Sequence, residues 1–229
     1  EQYFMLLERH PDLLDHLITP LLHSPHMSEI LRQSPHIIDI FLQSPTDDLA
    51  QQSEFVLSSP DYERRLEALR RFVNEQLFHG YTGFLHTGNA PILQEHLTAL
   101  AEQTLTLAIR IVADDLEQDS LPISVLGLGK MGTAKMAPQS DLDLIFIFSD
   151  DCDPDLSAKV VRRLRTTLTT KLREGIAYDL DMRLRPSGRS GPPAVKLSAF
   201  RDHHMTRAHS WEHIALATSR ISAGDTDLG

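Results

Sequence analysis

The run Leu142-Asp143-Leu144-Ile145-Phe146-Ile147-Phe148 is almost continuously apolar and is headed by Ser140-Asp141. A run of that kind reads as a strand buried on both faces, so it demands further layers of structure on either side. Upstream, Ile123-Ser124-Val125-Leu126 reads as a second buried strand that ends in Gly127-Leu128-Gly129-Lys130 and leads into a short helix at about 130–137. Residues 177–184 predict a third strand. Helical spacing covers 154–174, through Val160, Val161, Leu164, Leu168 and Leu172, and again 197–207 and 210–222. Residues 121–229 therefore predict an α/β or α+β unit.

Before about residue 120 the pattern is helical throughout. Ser24-Pro25, Ser34-Pro35, Ser44-Pro45 and Ser59-Pro60 read as N-caps followed by a first helical residue, rather than as phosphorylation sites. Residues 60–79 form a longer amphipathic helix through Leu66, Leu69, Phe72, Val73 and Leu77, with Gly80 as its stop. Gly83, Gly88, Asn89 and Pro91 mark a loop before a second long helix, about 91–118. His10, His16, His23, His26 and His36 lack a metal-ligand spacing and read as packed or solvated.

With 229 residues there is room for one large domain or two ordinary ones, and the division suggested is a helical region at 1–120 followed by the unit at 121–229. A formal charge of −10 opposes gripping nucleic acid through the whole surface, while leaving room for a local basic pocket. No stretch approaches the roughly 20 apolar residues that cross a bilayer, so no membrane role is expected. The single cysteine, Cys152, excludes an internal disulfide and fits a reducing compartment. The chain begins in a helical pattern, without Met or a signal-peptide pattern, and is expected to be a piece of a longer protein.

Strand alternation points Asp141 and Asp143 the same way. Two carboxylates at the head of a buried strand are costly unless water or a cation neutralises them, and magnesium takes oxygen ligands shared with phosphates. Gly127-Leu128-Gly129-Lys130 adds a turn at which backbone can approach a phosphate, although it fits neither the Walker nor the dinucleotide pattern. Asp179, Asp181, Arg183 and Arg185 alternate with Tyr178, Leu180, Met182 and Leu184. That face reads either as cross-paired surface charge or as a third carboxylate, best Asp181, with arginines to fork onto phosphate. Pro186 to Pro192 supply a loop with a further cation, Arg189. Cys152 lies among Asp150, Asp151 and Asp153, which oppose a reactive thiolate. His203, His204 and His209 read as packed or exposed and Trp211 as core, while Glu212 and His213 are free to face the centre but are not read as catalytic.

Gly127-Leu128-Gly129-Lys130-Met131-Gly132, Ser140-Asp141-Leu142-Asp143-Leu144-Ile145-Phe146 and the run Asp181 to Pro192 resemble the glutamine synthetase adenylyltransferase family. Trp211-Glu212-His213 and Gly224-Asp225 are similar to its next segment. The resemblance implies an α+β nucleotidyltransferase fold of the polymerase-beta type, a mixed sheet with flanking helices behind an all-helical region. It implies transfer of AMP from ATP to a tyrosine of glutamine synthetase in control of nitrogen assimilation, with the motifs closer to the C-terminal, adenylylating unit. Phosphorolytic deadenylylation, and a weakened domain that only binds nucleotide or partner, are the alternatives. It further implies Asp141, Asp143 and Asp181 as catalytic ligands of two magnesium ions, with manganese able to substitute. Gly127, Gly129, Lys130, Ser140, Arg183 and Arg185 would bind the nucleotide. A PII-type signalling protein acting through the full-length enzyme and a cytoplasmic location are also implied. Thr133 and Lys135 stand where the family usually has glycine and glutamate, and the stretch from Asp143 to Asp181 is short.

Overall fold

The computed structural model describes residues 11–40, 49–186, 188 and 191–228. Its centre is the expected apolar strand. In β2 (Leu142–Phe148) every residue is buried except Asp143, which is half-buried. β1 (Ile123–Gly127), buried along its whole length, lies antiparallel to it with Ile123 opposite Phe148 and Gly127 opposite Leu144. β5 (Arg220–Gly224) extends the sheet antiparallel beyond β1, with an irregularity in register between Val125 and Leu126. On the other edge of β2 run two short parallel strands. β3 (Leu180–Asp181) pairs with Leu142–Asp143 and β4 (Ala194–Lys196) with Phe146–Phe148. The protein is thus α+β, with a mixed five-stranded sheet and flanking helices, as a nucleotidyltransferase fold requires.

Helices α1 (Pro11–His23), α2 (Pro25–Gln33), α3 (Ile37–Ile40) and α4 (Leu49–Ser58) precede a hairpin of long helices, α5 (Tyr62–Thr87) and α6 (Ala90–Asp115). α7 (Gly129–Gly132) follows β1, α8 (Pro154–Thr169) follows β2, and α9 (Leu197–Thr206) and α10 (Ser210–Leu216) link β4 to β5. One face of the sheet presents Leu142, Leu144, Phe146 and Phe148 to a core shared with Leu100, Leu105 and Ile111 of α6 and Val160, Val161 and Leu164 of α8. The opposite face presents Leu126, Ile145, Ile147 and Val195, covered by Phe200 of α9 and Ala215 and Leu216 of α10. Among the described residues no helix is long and apolar enough to cross a membrane.

Several local expectations are corrected. α5 does not stop at Gly80 but runs to Thr87 and ends at Gly88, whose φ is +67°. Gly80 is there for helix packing, since a Cβ on it would lie 2.4 Å from Cδ2 of His96 on α6. Ser24 caps α2 through the Met27 N–H at 3.4 Å. Ser34, however, closes α2, and Asp61 rather than Ser59 caps α5, so those two Ser-Pro pairs are connections between helices. Ser44-Pro45 lies outside the described residues, as do Ser187, Arg189 and Ser190. The helix expected at 130–137 is the single turn of α7, and α8 ends at Thr169 rather than 174. The third strand shrinks to Leu180–Asp181, because the chain turns at Arg183. β4 was not foreseen, and residues 220–224 form a strand, not the end of a helix.

Arg70 of α5 is fully buried, and its guanidinium donates to the carbonyls of Leu66, Thr167, Thr170 and Gly175 at 2.6–3.1 Å. It ties the helical region to the end of α8 and to the turn that leads into β3. Asn74, one turn further on, donates to the Glu174 carbonyl at 3.0 Å, which reinforces the same junction.

Candidate active site

The register of β2 with β3 sets Asp143 beside Asp181, and Asp141, just ahead of β2, lies two residues earlier on the same side. Carboxylate oxygens of all three lie within 4.8 Å of one another. Asp143 shows the consequence. Burial pushes its carboxyl above the ordinary range, the charges of Asp141 and Asp181 push it further, and Arg183 and Lys130 only partly offset this. Three acids held together with too little positive charge between them form a seat for hard cations, and a set of carboxylate oxygens fits magnesium or manganese.

The glycine turn approaches the same point from the β1 side. Leu128 N–H donates to the Asp143 carbonyl at 2.9 Å. Gly129 takes φ +52°, and a Cβ on it would lie 2.5 Å from Asp143 Oδ2. Only glycine lets the backbone pass so near that carboxylate. Lys130 Nζ lies 3.4 Å from Ser140 Oγ, and Ser140 Oγ also accepts the Ala137 N–H at 3.1 Å. Gly127 ends β1 with Met131 and Ser222 packed where a side chain would go, so it shapes the turn from below. Gly129→Ala is expected to cost about 1–2 kcal/mol in stability, from the left-handed backbone. Thermal unfolding would read that loss as a fall of a few degrees in Tm.

From the β3 side, Arg183 clasps Asp181. Its Nε lies 2.7 Å from Oδ2, its Nη2 pairs with the same oxygen, and its N–H donates to Oδ1 at 2.8 Å. The side chain is otherwise exposed. Arg185 is committed differently: its guanidinium donates to the carbonyls of Met182, Gly191 and Pro192, so it holds the following loop together. A cavity of about 700 Å3 opens here, lined by Asp141, Asp181, Arg183 and Arg185 and, across from them, by Arg162 and Arg165 of α8. The structure thus brings Gly129, Lys130, Ser140 and Arg183 to the three acids. Arg162 and Arg165 escaped sequence reasoning. Their one signal is that Ala158, Arg162, Arg165 and Thr169 share the helix face away from Val160, Leu164 and Leu168.

A family model described as glutamate-ammonia ligase adenylyltransferase matches residues 14–229. The chain belongs to the glutamate-ammonia ligase adenylyltransferase family. Its curated relatives include three named bifunctional glutamine synthetase adenylyltransferase/adenylyl-removing enzyme. That of Chromobacterium violaceum is 32% identical over 231 residues, covering 97% of this chain and 24% of the relative. That of Agrobacterium fabrum is 33% identical over 254 residues, covering 99% and 26%. That of Rhizobium meliloti is 34% identical over 255 residues, again covering 99% and 26%. The chain spans about a quarter of the length of these relatives.

Thr133 sits at φ −83°, an ordinary conformation, and its hydroxyl closes α7 by donating to the Gly129 carbonyl at 3.0 Å. Lys135 is exposed. Cys152 is buried, and its thiol is pushed up by burial and by Asp153, which removes it from nucleophilic chemistry.

The segment after β4 is arranged otherwise than expected. Trp211 is 53% exposed, not core. Glu212 is the buried member: it accepts from His203 Nε2 at 2.8 Å and from the His209 N–H at 2.7 Å. His204 packs on Phe200, and both its ring nitrogens are buried without a partner among the described residues. Burial lowers its pKa from the ordinary 6.5, and His203 lowers it further. A histidine depressed in the folded state is matched by an unfolded chain that binds the proton more readily, so stability falls as pH drops below about 6.5. Thermal unfolding at pH 5.5 and 7.5 should show the wild type losing a few degrees more across that interval than His204→Phe.

Proposed function

We propose that this unit is a metal-dependent nucleotidyltransferase that moves AMP from ATP to a tyrosine of glutamine synthetase. The observation that carries the reading is the convergence of Asp141, Asp143 and Asp181 beneath the Gly127–Lys130 turn. The family membership and the relatives' printed names support the substrates.

The three carboxylates would hold two magnesium ions, or manganese in their place. Bound there, the metal would supply Lewis-acid stabilisation of the phosphate charge and help the tyrosine, with an ordinary pKa of about 10, to lose its proton. With no side chain at Gly129, its backbone would approach a phosphate held at the three acids, and Lys130 and Ser140 would bind the phosphate oxygens. Four residues of α7 are too few to contribute a helix dipole, so the cation and the close backbone carry this role. Arg183 would exchange its clasp on Asp181 for the charge that develops during displacement. Arg185 orders the loop over the site. Gly127 positions the turn.

The unit is assigned to the adenylylating direction. Because the relatives' names also include adenylyl removal, the reverse reaction, phosphate attacking the tyrosyl-AMP bond to yield ADP, is the second reading. In the cytoplasmic full-length enzyme a PII-type signalling protein would select between directions. Nucleic acid and membrane play no part. The test supplies ATP, magnesium and glutamine synthetase, and separately phosphate with adenylylated glutamine synthetase. Label transfer from α-labelled ATP supports the assignment; ADP formation in the second assay alone would replace it with the reverse reaction.

A further inference from the structure

Helix α8 sorts its arginines by face. Arg163 turns toward the helical region, pairs with Asp115 at 3.1 Å and stands 5.3 Å over the Tyr62 ring. Arg162 and Arg165 turn into the cavity beside the acids, are exposed, and have no carboxylate partner among the described residues. Arg183 and Arg185 line the same cavity, as do Asp141, Asp179 and Asp181, on a chain whose formal charge is −10. Unlike Arg183, which is clasped to Asp181, Arg162 and Arg165 face this space with no acid of their own among the described residues; such guanidinium groups attract an anion, and their planar forks suit carboxylates as well as phosphates.

Sheet order indicates which anion. The Gly127–Lys130 turn follows β1, on one side of β2, and β3 with its cavity lies on the other. In-line displacement places the departing group and the incoming nucleophile on opposite sides of the transferred phosphorus. With the polyphosphate at the glycine turn, the arginine-lined cavity is on the nucleophile's side.

We propose that this cavity docks the acceptor polypeptide, as an extended acidic segment whose Asp or Glu side chains flank the accepting hydroxyl and meet Arg162 and Arg165. The two arginines are i,i+3 neighbours on the helix, about 5–6 Å apart at Cβ, and their long side chains can span the roughly 6.7 Å between same-side residues of an extended chain. The hydroxyl oxygen bonds to the α-phosphorus as the bond to the β-phosphate oxygen breaks. Pyrophosphate leaves with that electron pair, and the hydroxyl proton passes to water. The inference rests on the adenylyl-transfer reading and deepens it by naming the chemistry that selects the acceptor.

Arg162→Ala/Arg165→Ala in the full-length protein is the test, with KM measured separately for glutamine synthetase and for ATP. KM for the protein acceptor should rise on the order of tenfold and lose much of its salt dependence, while manganese-dependent ATP binding and KM for ATP stay at wild-type values. Arg162→Glu/Arg165→Glu should raise the acceptor KM further. A rise in KM for ATP with the acceptor KM unchanged would overturn the docking role and assign the arginines to polyphosphate. No change in either would also overturn it, while leaving adenylyl transfer standing. Failure of the wild type to bind ATP with manganese would instead bring down the reading beneath it.

Discussion

Asp143→Asn is expected to cut AMP transfer by about a thousandfold or more, roughly 4 kcal/mol, and to leave the metal-free protein as stable as the wild type or more so. Both halves follow from the same geometry. Asp143 lies between Asp141 and Asp181, in surroundings that oppose its charge through burial first and through those two acids next. Without a cation the three carboxylates repel, and an amide of nearly the same volume removes one of the repelling charges. With a cation they become the seat itself, and the amide is a poor ligand in a site that needs every charge. Thermal unfolding separates the two effects. Manganese at about a hundred times its dissociation constant stabilises a binding protein by about 2.7 kcal/mol, which for a chain of this size is a rise of roughly 5–11 °C. The wild type should show that rise and Asp143→Asn should not. A variant that keeps both the rise and the transfer activity would sink the metal assignment.

Arg70→Ala should destabilise the protein by about 3–5 kcal/mol, roughly 6–20 °C in Tm. Burial lowers the guanidinium pKa to about 10, so it is still charged at neutral pH, and the groups that surround it are carbonyls. Thr167 and Thr170 belong to the end of α8, where unsatisfied carbonyls carry partial negative charge that suits a cation. Truncation would remove bonds to three separate segments at once, orphan the Thr167 and Thr170 carbonyls at the end of α8, and leave a cavity, while the Gly175 carbonyl keeps the Leu172 N–H. Arg70→Met distinguishes the two contributions, because it fills most of the space but donates nothing. It should fall nearly as far as Arg70→Ala, and Arg70→Lys should fall between these variants and the wild type. If Arg70→Met matched the wild type in Tm, packing rather than hydrogen bonding would hold this junction. Activity should decline with it, since Gly175 opens the turn that delivers Asp181 to the site.

The parts legible from sequence are those whose physics is local. β2 is nearly all apolar and admits one interpretation, and strand alternation alone puts Asp141 and Asp143 on one face. β4 and β5 were not legible, for they are short strands at the borders of the sheet. The Ala-Val-Lys of β4 follows two prolines, and Arg220-Ile-Ser-Ala-Gly fits the tail of a helix as well as a strand. Their pairing with β2 and β1 is what makes them strands. Gly80 looked like a stop because a glycine inside a helix is locally unfavourable, and the close passage of His96 that requires it is a long-range fact. Within the site, the three acids could be read from motif and spacing. Arg185 could be read as a cation, but not as one that spends its donors on Gly191 and Pro192. Arg162 and Arg165 look like ordinary solvated residues until the fold sets α8 against β3.

Helix α6 sits behind the sheet, and its Leu100, Leu105 and Ile111 share one apolar core with Phe146 and Phe148. Anyone building chimaeras from two members of this family inherits a rule from that packing. A crossover point between α6 and β1 would join a helix from one parent to strands from the other, with mismatched shapes meeting in the interior. Exchanges that move α5, α6 and the strands as one block keep each parent's interior intact, and recombination libraries should be enriched in survivors of that kind.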